Sequence, residues 1–367
     1  MKLKEVLHSD SLTKNDLITL LNLENREDIE LLKQRAYDVM TEHCGEYVYL
    51  RGLIEFSNIC TYDCYYCGIR KSNKNVKRFI LDKKEIIESA VWCAEKGYGS
   101  LVLQSGERDD PDFVDFVVDL VKNIKKLTVS PELPDGLGIT LCVGEQTKDT
   151  YKRFFDAGAH RYLLRIETTN RDLYSKLHPP WQSFNKRLQA LEFLKEVGFQ
   201  VGTGIMIGLP EQTISHIADD IEFFKKFDVD MIGMGPYIVH KETPMGHYES
   251  FYALRKKQIY ELSLRTIAVT RIYLKDVNIA ATTALQAMYS LGREQALMFG
   301  ANVIMPLLTP QEVREQYTLY EGKPCIDEFS SDCFECIVHR IESTGRKVGI
   351  NSWGDAPHFA NKSKAAK

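Results

Sequence analysis

Short apolar runs rich in β-favouring residues alternate with amphipathic stretches from residue 47 onward. Eight such runs can be distinguished, at 47–56, 100–107, 138–145, 161–168, 201–210, 230–239, 278–285 and 301–306. Between them, apolar residues recur every three to four positions, for example in 83–97 and 216–228, which is the period of an amphipathic helix. Repeated strand–helix units predict an α/β fold with a parallel sheet, and eight strands are the number that closes a TIM-type (β/α)8 barrel.

The barrel is expected to occupy residues 47–310, between an N-terminal helical segment at 1–46 and a C-terminal segment at 311–367 that carries an accessory metal site. The helical spacing of Leu17, Leu20 and Leu21 indicates a helix in the first part, with Asn15-Asp16 as its cap. In a barrel, active-site groups lie at the carboxyl ends of the strands. Several runs end in polar residues, which favours an enzyme: Glu55, Ser105, Glu107, Glu145, Glu167, Thr282 and Thr283.

Composition and charge narrow the class of partner. Hydrophobic residues make up 44% and charged residues 27%, as in a globular protein, and no run approaches the ~18 apolar residues of a membrane span. The net charge is -4 with scattered lysines, so we expect neither nucleic acid nor membrane as a partner. The first residues do not read as a signal peptide. A cytoplasmic enzyme acting on small molecules is therefore expected.

The nine cysteines are odd in number and clustered, which favours metal ligation in a reducing compartment over a disulfide framework. Cys60, Cys64 and Cys67 form a C-x3-C-x2-C triplet directly after the first run. A structural zinc ion would need a fourth ligand. A 4Fe-4S cluster held by three cysteines leaves one iron open to an exogenous ligand.

The triplet, with Tyr66 just before its last cysteine, resembles the radical S-adenosylmethionine (SAM) superfamily. The resemblance extends to QSGE at 104–107 and to the glycine-containing stretch at 204–211. It implies that SAM chelates the open iron and is cleaved reductively to a 5'-deoxyadenosyl radical. It also implies that Tyr66 and Met206 lie on the adenine side of SAM, and Ser105 and Glu107 near its methionine end.

Longer stretches resemble the HydE family of FeFe-hydrogenase maturases, in the biotin synthase-like group: LRGLIEFSNIC, VLQSGE, RYLLRIET, MIGLPEQT, NIAATTA and GANVIMP. This resemblance implies a (β/α)8 barrel that acts anaerobically in assembling the hydrogenase active site, the H-cluster. It implies a small cysteine-bound iron carbonyl-cyanide complex as substrate. Companion maturases and an electron donor such as ferredoxin or flavodoxin are the implied partners.

The same resemblance assigns site residues. Glu167 and Arg187 become SAM ligands, although from the residues alone Arg187 would be a solvated helical arginine. Ile166 departs from the family pattern, because it stands where the family carries histidine. Tyr317 and Tyr320 close the implied substrate pocket, and its lining residues are Gln104, Thr140, Arg161, Arg165, Thr282 and Thr283.

A second cysteine group, C-x7-C-x2-C, consists of Cys325, Cys333 and Cys336, with His339 three residues beyond. It predicts a second iron-sulfur cluster, 2Fe-2S or 4Fe-4S, with a Cys3His zinc site as the alternative. Some HydE-type proteins carry an accessory cluster here and others lack the cysteines. The isolated Cys44, Cys93 and Cys142 are expected to be small core residues.

Two other functions stay open at this point. One is another reaction of the biotin synthase-like group, either sulfur insertion or a methylornithine-type mutase reaction. The other is a non-enzymatic iron-sulfur scaffold or electron carrier, whose cluster would not respond to SAM. Fold analogy does not separate these alternatives.

Overall fold

Three helices precede the first strand of the computed structural model, which describes residues 3–325 and 330–365. They are α1 (Leu3–Leu7), α2 (Lys14–Leu21) and α3 (Arg26–Cys44). Helix α2 starts one turn earlier than predicted, because Thr13 is its N-cap: the Asp16 backbone N–H donates to the Thr13 hydroxyl, and the Thr13 N–H donates back to the Asp16 carboxylate. Asp16 therefore completes a capping box from the third helical position.

All eight apolar runs form strands; two of the runs form two strands each, and one further short strand lies near the C-terminus. The strands are β1 (Tyr47–Ser57), β2 (Ser100–Ser105), β3 (Gly138–Cys142), β4 (Arg161–Leu163), β5 (Gln200–Thr203), β6 (Met206–Ile207), β7 (Met231–Ile232), β8 (Gly235–Pro236), β9 (Asn278–Ile279), β10 (Val303–Ile304) and β11 (Lys347–Gly349).

The remaining helices surround the sheet or follow it. They are α4 (Lys83–Glu95), α5 (Pro111–Leu127), α6 (Lys148–Asp156), α7 (Arg171–Leu177), α8 (Phe184–Val197), α9 (Ile214–Phe227), α10 (Glu249–Leu274), α11 (Thr283–Met288), α12 (Gly292–Met298), α13 (Gln311–Arg314), α14 (Ser330–Glu342) and α15 (Pro357–Ala365), with a 3-10 turn at Pro244–Tyr248.

The strands form a curled parallel sheet in the order β10-β1-β2-β3-β4-β5-β7-β9. An isolated parallel bridge between Ala280 and Val303 joins the two ends of this order. The prediction of a TIM-type α/β barrel is confirmed, with closure limited to a short stretch. Two of the predicted runs, 201–210 and 230–239, each form two short strands. The first strands of these runs, β5 and β7, belong to the main sheet, whereas the second strands, β6 and β8, pair with each other. At this split a Cβ on Gly204 would lie 1.8 Å from the Gly233 carbonyl oxygen, so only glycine permits the close approach.

The amphipathic stretches form the outer layer as their period predicts. On α5, the apolar side chains of Phe113, Val117, Leu120 and Ile124 are fully or almost fully buried, and Asp110 caps the helix by accepting from the Phe113 N–H. Helix α3 packs against α10 on the outside of the barrel. No helix in the described part of the chain is long and apolar enough to cross a bilayer.

The C-terminal part does not form a separate layer. Strand β11 pairs in parallel with the start of β1, and the following residues cross the amino-terminal end of the barrel. There the Arg51 side chain donates to the Gly354 carbonyl oxygen at 3.0 Å, and the Trp353 indole donates to the Gly136 carbonyl oxygen at 2.8 Å. The C-terminal residues thus complete the floor of the barrel. The domain divisions at residues 46 and 310 stay predictions.

Candidate active site

A cavity of about 320 Å³ lies at the carboxyl ends of the strands. The strand ends, the loop after β1 and the segment at 317–325 enclose it. Its lining brings together most of the side chains that the sequence singled out: Cys60, Cys64, Tyr66, Cys67, Gln104, Ser105, Glu107, Arg165, Glu167, Arg187, Met206, Thr282, Thr283, Tyr317 and Tyr320.

The three cysteines lie on a loop that buried polar side chains hold in place. Asn58 donates to the carbonyl oxygens of Lys77 and Gln316 and accepts from the Phe79 N–H. The Arg78 guanidinium donates to several main-chain carbonyl oxygens of the loop, including that of Ile69 at 2.7 Å. Because these bonds replace regular secondary structure, a loop without helix or strand is held in one conformation.

The three cysteines are half-buried, and their thiols influence one another's pKa. Burial raises the pKa of Cys64 to about 12, although a hydrogen bond from Gln182 opposes the rise. Burial, followed by the charges of Cys64 and Cys60, raises the pKa of Cys67. Thiolates at these positions therefore need a nearby positive charge, which bound iron supplies. In the described residues, no three histidine, cysteine or acidic side chains converge closely enough to hold a single metal ion.

The QSGE turn after β2 packs directly against the cysteine loop. The Glu107 N–H lies 3.4 Å from the Cys60 sulfur, and the Glu107 carbonyl accepts from the N–H of Thr61 at 2.9 Å. A Cβ on Gly106 would lie 2.4 Å from the Ile59 carbonyl oxygen and 2.9 Å from the Cys60 Cβ. The glycine of this motif is thus required by contact with the loop.

Tyr66 reaches the end of β4. Its hydroxyl lies 3.4 Å from a carboxylate oxygen of Glu167, and Arg165 contacts the other oxygen at 3.0 Å. Glu167 has a positive φ of 65°, which is uncommon for a side chain larger than asparagine and often marks a functional site. Ile166 is fully buried in the hydrophobic core, so it makes no polar contact with the cavity.

Arg187 is buried rather than solvated, at 7% exposure. Its Nε donates to Glu145 at 2.5 Å, one terminal nitrogen donates to the Arg165 carbonyl oxygen at 2.9 Å, and the other lies 3.6 Å from Glu107. Burial opposes its charge, but Glu107 and Glu145 outweigh burial and raise the pKa of Arg187. Burial also raises the pKa of Glu107. The site therefore holds one buried cation between two carboxyl groups.

Two residues predicted for the substrate pocket lie elsewhere. Arg161 is fully buried at the amino-terminal end of β4, where Nε donates to the Thr140 hydroxyl at 3.0 Å and another nitrogen to the Trp353 carbonyl oxygen at 2.9 Å. Arg161 also pairs with Asp355. Arg161 and Thr140 thus belong to the floor of the barrel and do not line the cavity, because a strand that places Arg165 at one end places Arg161 at the other.

Several cavity residues were not predicted as ligands. Cys142, expected in the core, lines the cavity, whereas Cys44 and Cys93 are buried as expected. Glu55 forms a buried ion pair with Lys323 from the C-terminal segment. Arg293 also lines the cavity and is 5% exposed. The polar residues at the ends of the runs indicated that Glu55 and Glu145 could lie near the site. Nothing in the local sequence pattern indicated this for Lys323 or Arg293.

The accessory cysteines are only partly described. Cys325 lines the cavity and has a positive φ of 63°. Cys336 is exposed on α14. The side chain of Cys333 lies outside the described residues, so the accessory site stays a prediction.

Comparison with known proteins identifies the family. Residues 54–224 match the Radical SAM superfamily. The chain is 42% identical over 351 residues to the FeFe hydrogenase maturase subunit HydE of Thermotoga maritima, covering 95% of each chain. The chain belongs to the HydE family. It is therefore a radical SAM enzyme, and its family implies a 4Fe-4S cluster and SAM as cofactors.

Other relatives share the HydE-type fold. The chain is 29% identical over 346 residues to 3-methylornithine synthase of Methanosarcina barkeri, covering 94% of this chain and 92% of that one. The crystal structure of methylornithine synthase PylB superposes with a TM-score of 0.80 at 26% identity, covering 95% of this chain and 97% of that one. Within this family, the half-buried thiols and the N–H groups directed at two of their sulfurs fit a 4Fe-4S cluster.

Proposed function

We propose that this HydE-family enzyme uses a 5'-deoxyadenosyl radical to build part of the active site of an FeFe-hydrogenase. The observation that carries the proposal is that three cysteines and a buried arginine–carboxylate group face one cavity in a chain 42% identical to a hydrogenase maturase. A recessed cavity suits radical chemistry, because bound SAM and substrate can fill it and displace water and other hydrogen donors from the reacting atoms.

Cys60, Cys64 and Cys67 are proposed to hold the cluster, which supplies the electron that cleaves SAM when both are bound. Arg187 can bind the methionine carboxylate with its planar fork. Glu167 can accept hydrogen bonds from an ammonium or a ribose hydroxyl. Ser105 and Glu107 serve the methionine end, and Tyr66 and Met206 serve the adenine side.

A small anionic organometallic complex is the proposed substrate, namely a cysteine-bound iron carbonyl-cyanide unit. Arg165 and Arg293 both line the cavity, and the Arg293 Nε has no hydrogen-bond partner among the described residues. A buried guanidinium N–H without a partner favours binding of an anion. The polar lining also includes Gln104, Thr282, Thr283, Tyr317 and Tyr320.

The partners and the accessory site extend this proposal. Family membership points to companion maturases, and a low-potential ferredoxin or flavodoxin would supply the electron. Such chemistry needs a reducing, anaerobic setting such as the cytoplasm.

Cys325, Cys333 and Cys336 are proposed to hold a second iron-sulfur cluster. Cys336→Ser should then lower the iron content per chain without abolishing SAM cleavage, whereas unchanged iron would argue against that cluster.

Anaerobic reconstitution with iron and sulfide tests the main proposal. Addition of SAM should perturb the spectrum of the reduced cluster, and dithionite should release 5'-deoxyadenosine and methionine. Cys64→Ala should abolish both effects, and an exposed Lys71→Ala variant on the same loop should retain them. A reducible cluster that does not respond to SAM would instead support an electron carrier.

Activation of a hydrogenase separates the remaining enzyme functions. In a mixture of companion maturases and inactive hydrogenase, activity should appear only when this protein is added. The similarity to 3-methylornithine synthase over 94% of the chain makes a mutase the second candidate. Formation of 3-methylornithine without hydrogenase activation would favour it.

A further inference from the structure

Gln182 lies in the connection between α7 and α8 and is 6% exposed. Its amide makes two contacts with the cysteine loop: the carbonyl oxygen accepts from the Asp63 N–H at 3.1 Å, and the NH2 group lies 3.3 Å from the Cys64 sulfur. This side chain therefore bridges the α7–α8 connection and the cysteine loop.

The orientation of the amide follows from its partners. A main-chain N–H can only donate, so the Gln182 oxygen must face Asp63. The NH2 group then faces Cys64, whose sulfur can only accept when it is a thiolate ligand. The pair of contacts thus selects one of the two amide orientations and directs an N–H at a cluster ligand.

We propose that Gln182 is a positioning residue that raises the reduction potential of the 4Fe-4S cluster through its hydrogen bond to Cys64. Reduction adds negative charge to the cluster and its sulfur ligands, so an N–H directed at a sulfur stabilises the reduced form more than the oxidised form. This inference rests on the cluster assigned to Cys60, Cys64 and Cys67 but on no particular substrate.

The Cys64 contact comes from a side chain, which makes it accessible to mutation. Cys60 receives its N–H from the main chain of Glu107, and only proline would remove that donor, which would also change the backbone of the turn. Gln182 also directly precedes Ser183, the N-cap of α8, and Arg187 lies in the first turn of that helix. A structural effect on SAM binding must therefore be separated from an effect on the potential.

The test is the midpoint potential of the reconstituted full chain without SAM, measured by EPR during a dithionite titration. Gln182→Leu removes both contacts, and Gln182→Met does the same with an unbranched side chain, so that neither variant adds a charge beside the cluster. At the wild-type midpoint, the ratio of reduced to oxidised cluster should fall about tenfold in both variants. For a one-electron reduction, this corresponds to a midpoint potential that is about 59 mV lower.

Ser72→Ala is the matched control, because Ser72 donates to the Asp63 carboxylate on the same loop and makes no bond to a cysteine sulfur. Its midpoint should equal that of the wild type. Iron per chain is measured first, and if Gln182→Leu assembles less cluster, Gln182→Met decides. A wild-type midpoint in a cluster-loaded Gln182 variant, or an equal fall in Ser72→Ala, would overturn the proposal. If the potentials are as predicted but the wild type itself does not cleave SAM, the result counts against the enzyme function alone.

Discussion

Arg187 is the side chain whose environment differs most from what its local sequence suggests. It lies near the start of an amphipathic helix, yet Glu107, Glu145 and the carbonyl oxygen of Arg165 surround its guanidinium. The two carboxyl groups offset the cost of burial and keep the arginine charged. A charged fork at the cavity wall can exchange part of this network for the carboxylate of SAM.

Arg187→Lys should weaken SAM binding by about tenfold to a hundredfold, because a lysine ammonium cannot make the planar pair of bonds. Calorimetric titration of the reconstituted protein with SAM measures the change. Lys186→Ala, at the exposed neighbouring position, is the control and should bind SAM as the wild type does. Equal affinities in Arg187→Lys and the wild type would remove Arg187 from the proposed SAM site.

Gly106 has an equally specific role at the residue scale. Gly106→Ala should displace the cysteine loop, because the new Cβ would meet main-chain atoms of Ile59, which cannot rotate away as a side chain can. We expect iron per chain after reconstitution to fall at least about twofold, in line with a misplaced ligand loop. Gly45→Ala adds a methyl group at a strained φ of 78° but in open space, and it should retain full iron content. If both variants bind iron normally, the close contact is not what the motif requires.

At the scale of elements, the segment at 317–325 closes the cavity against β1. An ion pair between Lys323 and Glu55 links the segment to β1, and the two side chains are only 8% and 3% exposed. Burial raises the pKa of Glu55, while the charge of Lys323 and a hydrogen bond from it oppose the rise. A buried pair of this kind holds its two elements together, since removal of either partner leaves an uncompensated charge.

Lys323→Met should therefore destabilise the protein by about 3 kcal/mol and open the 317–325 segment. Hydrogen exchange of peptides from 317–325 and the denaturant midpoint measure the two effects. Lys347→Met removes a cation from an exposed pair with Glu46, where we expect no measurable change because solvent screens the pair. Similar small changes in both variants would mean that the Glu55 pair does not hold the segment.

At the scale of the whole molecule, the two ends of the barrel differ in kind. One end is the cavity, and the other is sealed by the C-terminal residues that bind Arg51 and Arg161. Asp355 supplies the carboxylate there: burial opposes its charge, but a hydrogen bond from His160 and the charge of Arg161 lower its pKa. Because the folded pKa lies below the ordinary value of 3.8 for an aspartate, this stabilisation is present above about pH 4 and is lost as the pH falls further.

Asp355→Asn should lower the free energy of unfolding by about 1 to 3 kcal/mol at pH 7, after allowance for the partial exposure of the carboxylate. The advantage of the wild type should shrink below about pH 4, because there Asp355 takes up a proton in the unfolded chain while it stays ionised in the folded protein. Thermal unfolding of both proteins in parallel across pH 3 to 7 tests this. Asp135→Asn, at a nearby exposed position, should change stability by less than about 0.5 kcal/mol at any of these pH values. A pH-independent difference would show that the charge of Asp355 is not what stabilises the floor.

Sequence alone determined the features that depend on local spacing. The alternation of two periods predicted the strands and helices, because each period reflects which face of an element is buried. The cysteine motif was equally readable, since its three cysteines lie within eight consecutive residues, 60–67. The family resemblance then suggested further site residues that lie far apart in sequence.

Only the tertiary structure decided which distant side chains meet. Arg161 and Arg165 lie four residues apart, so about 13 Å of strand separates them, and one seals the floor while the other faces the cavity. Gln182 reaches Cys64 across 118 residues, and Lys323 reaches Glu55 across 268. Such contacts leave no periodic or local signal, because they depend on how the barrel curls and where its connections cross.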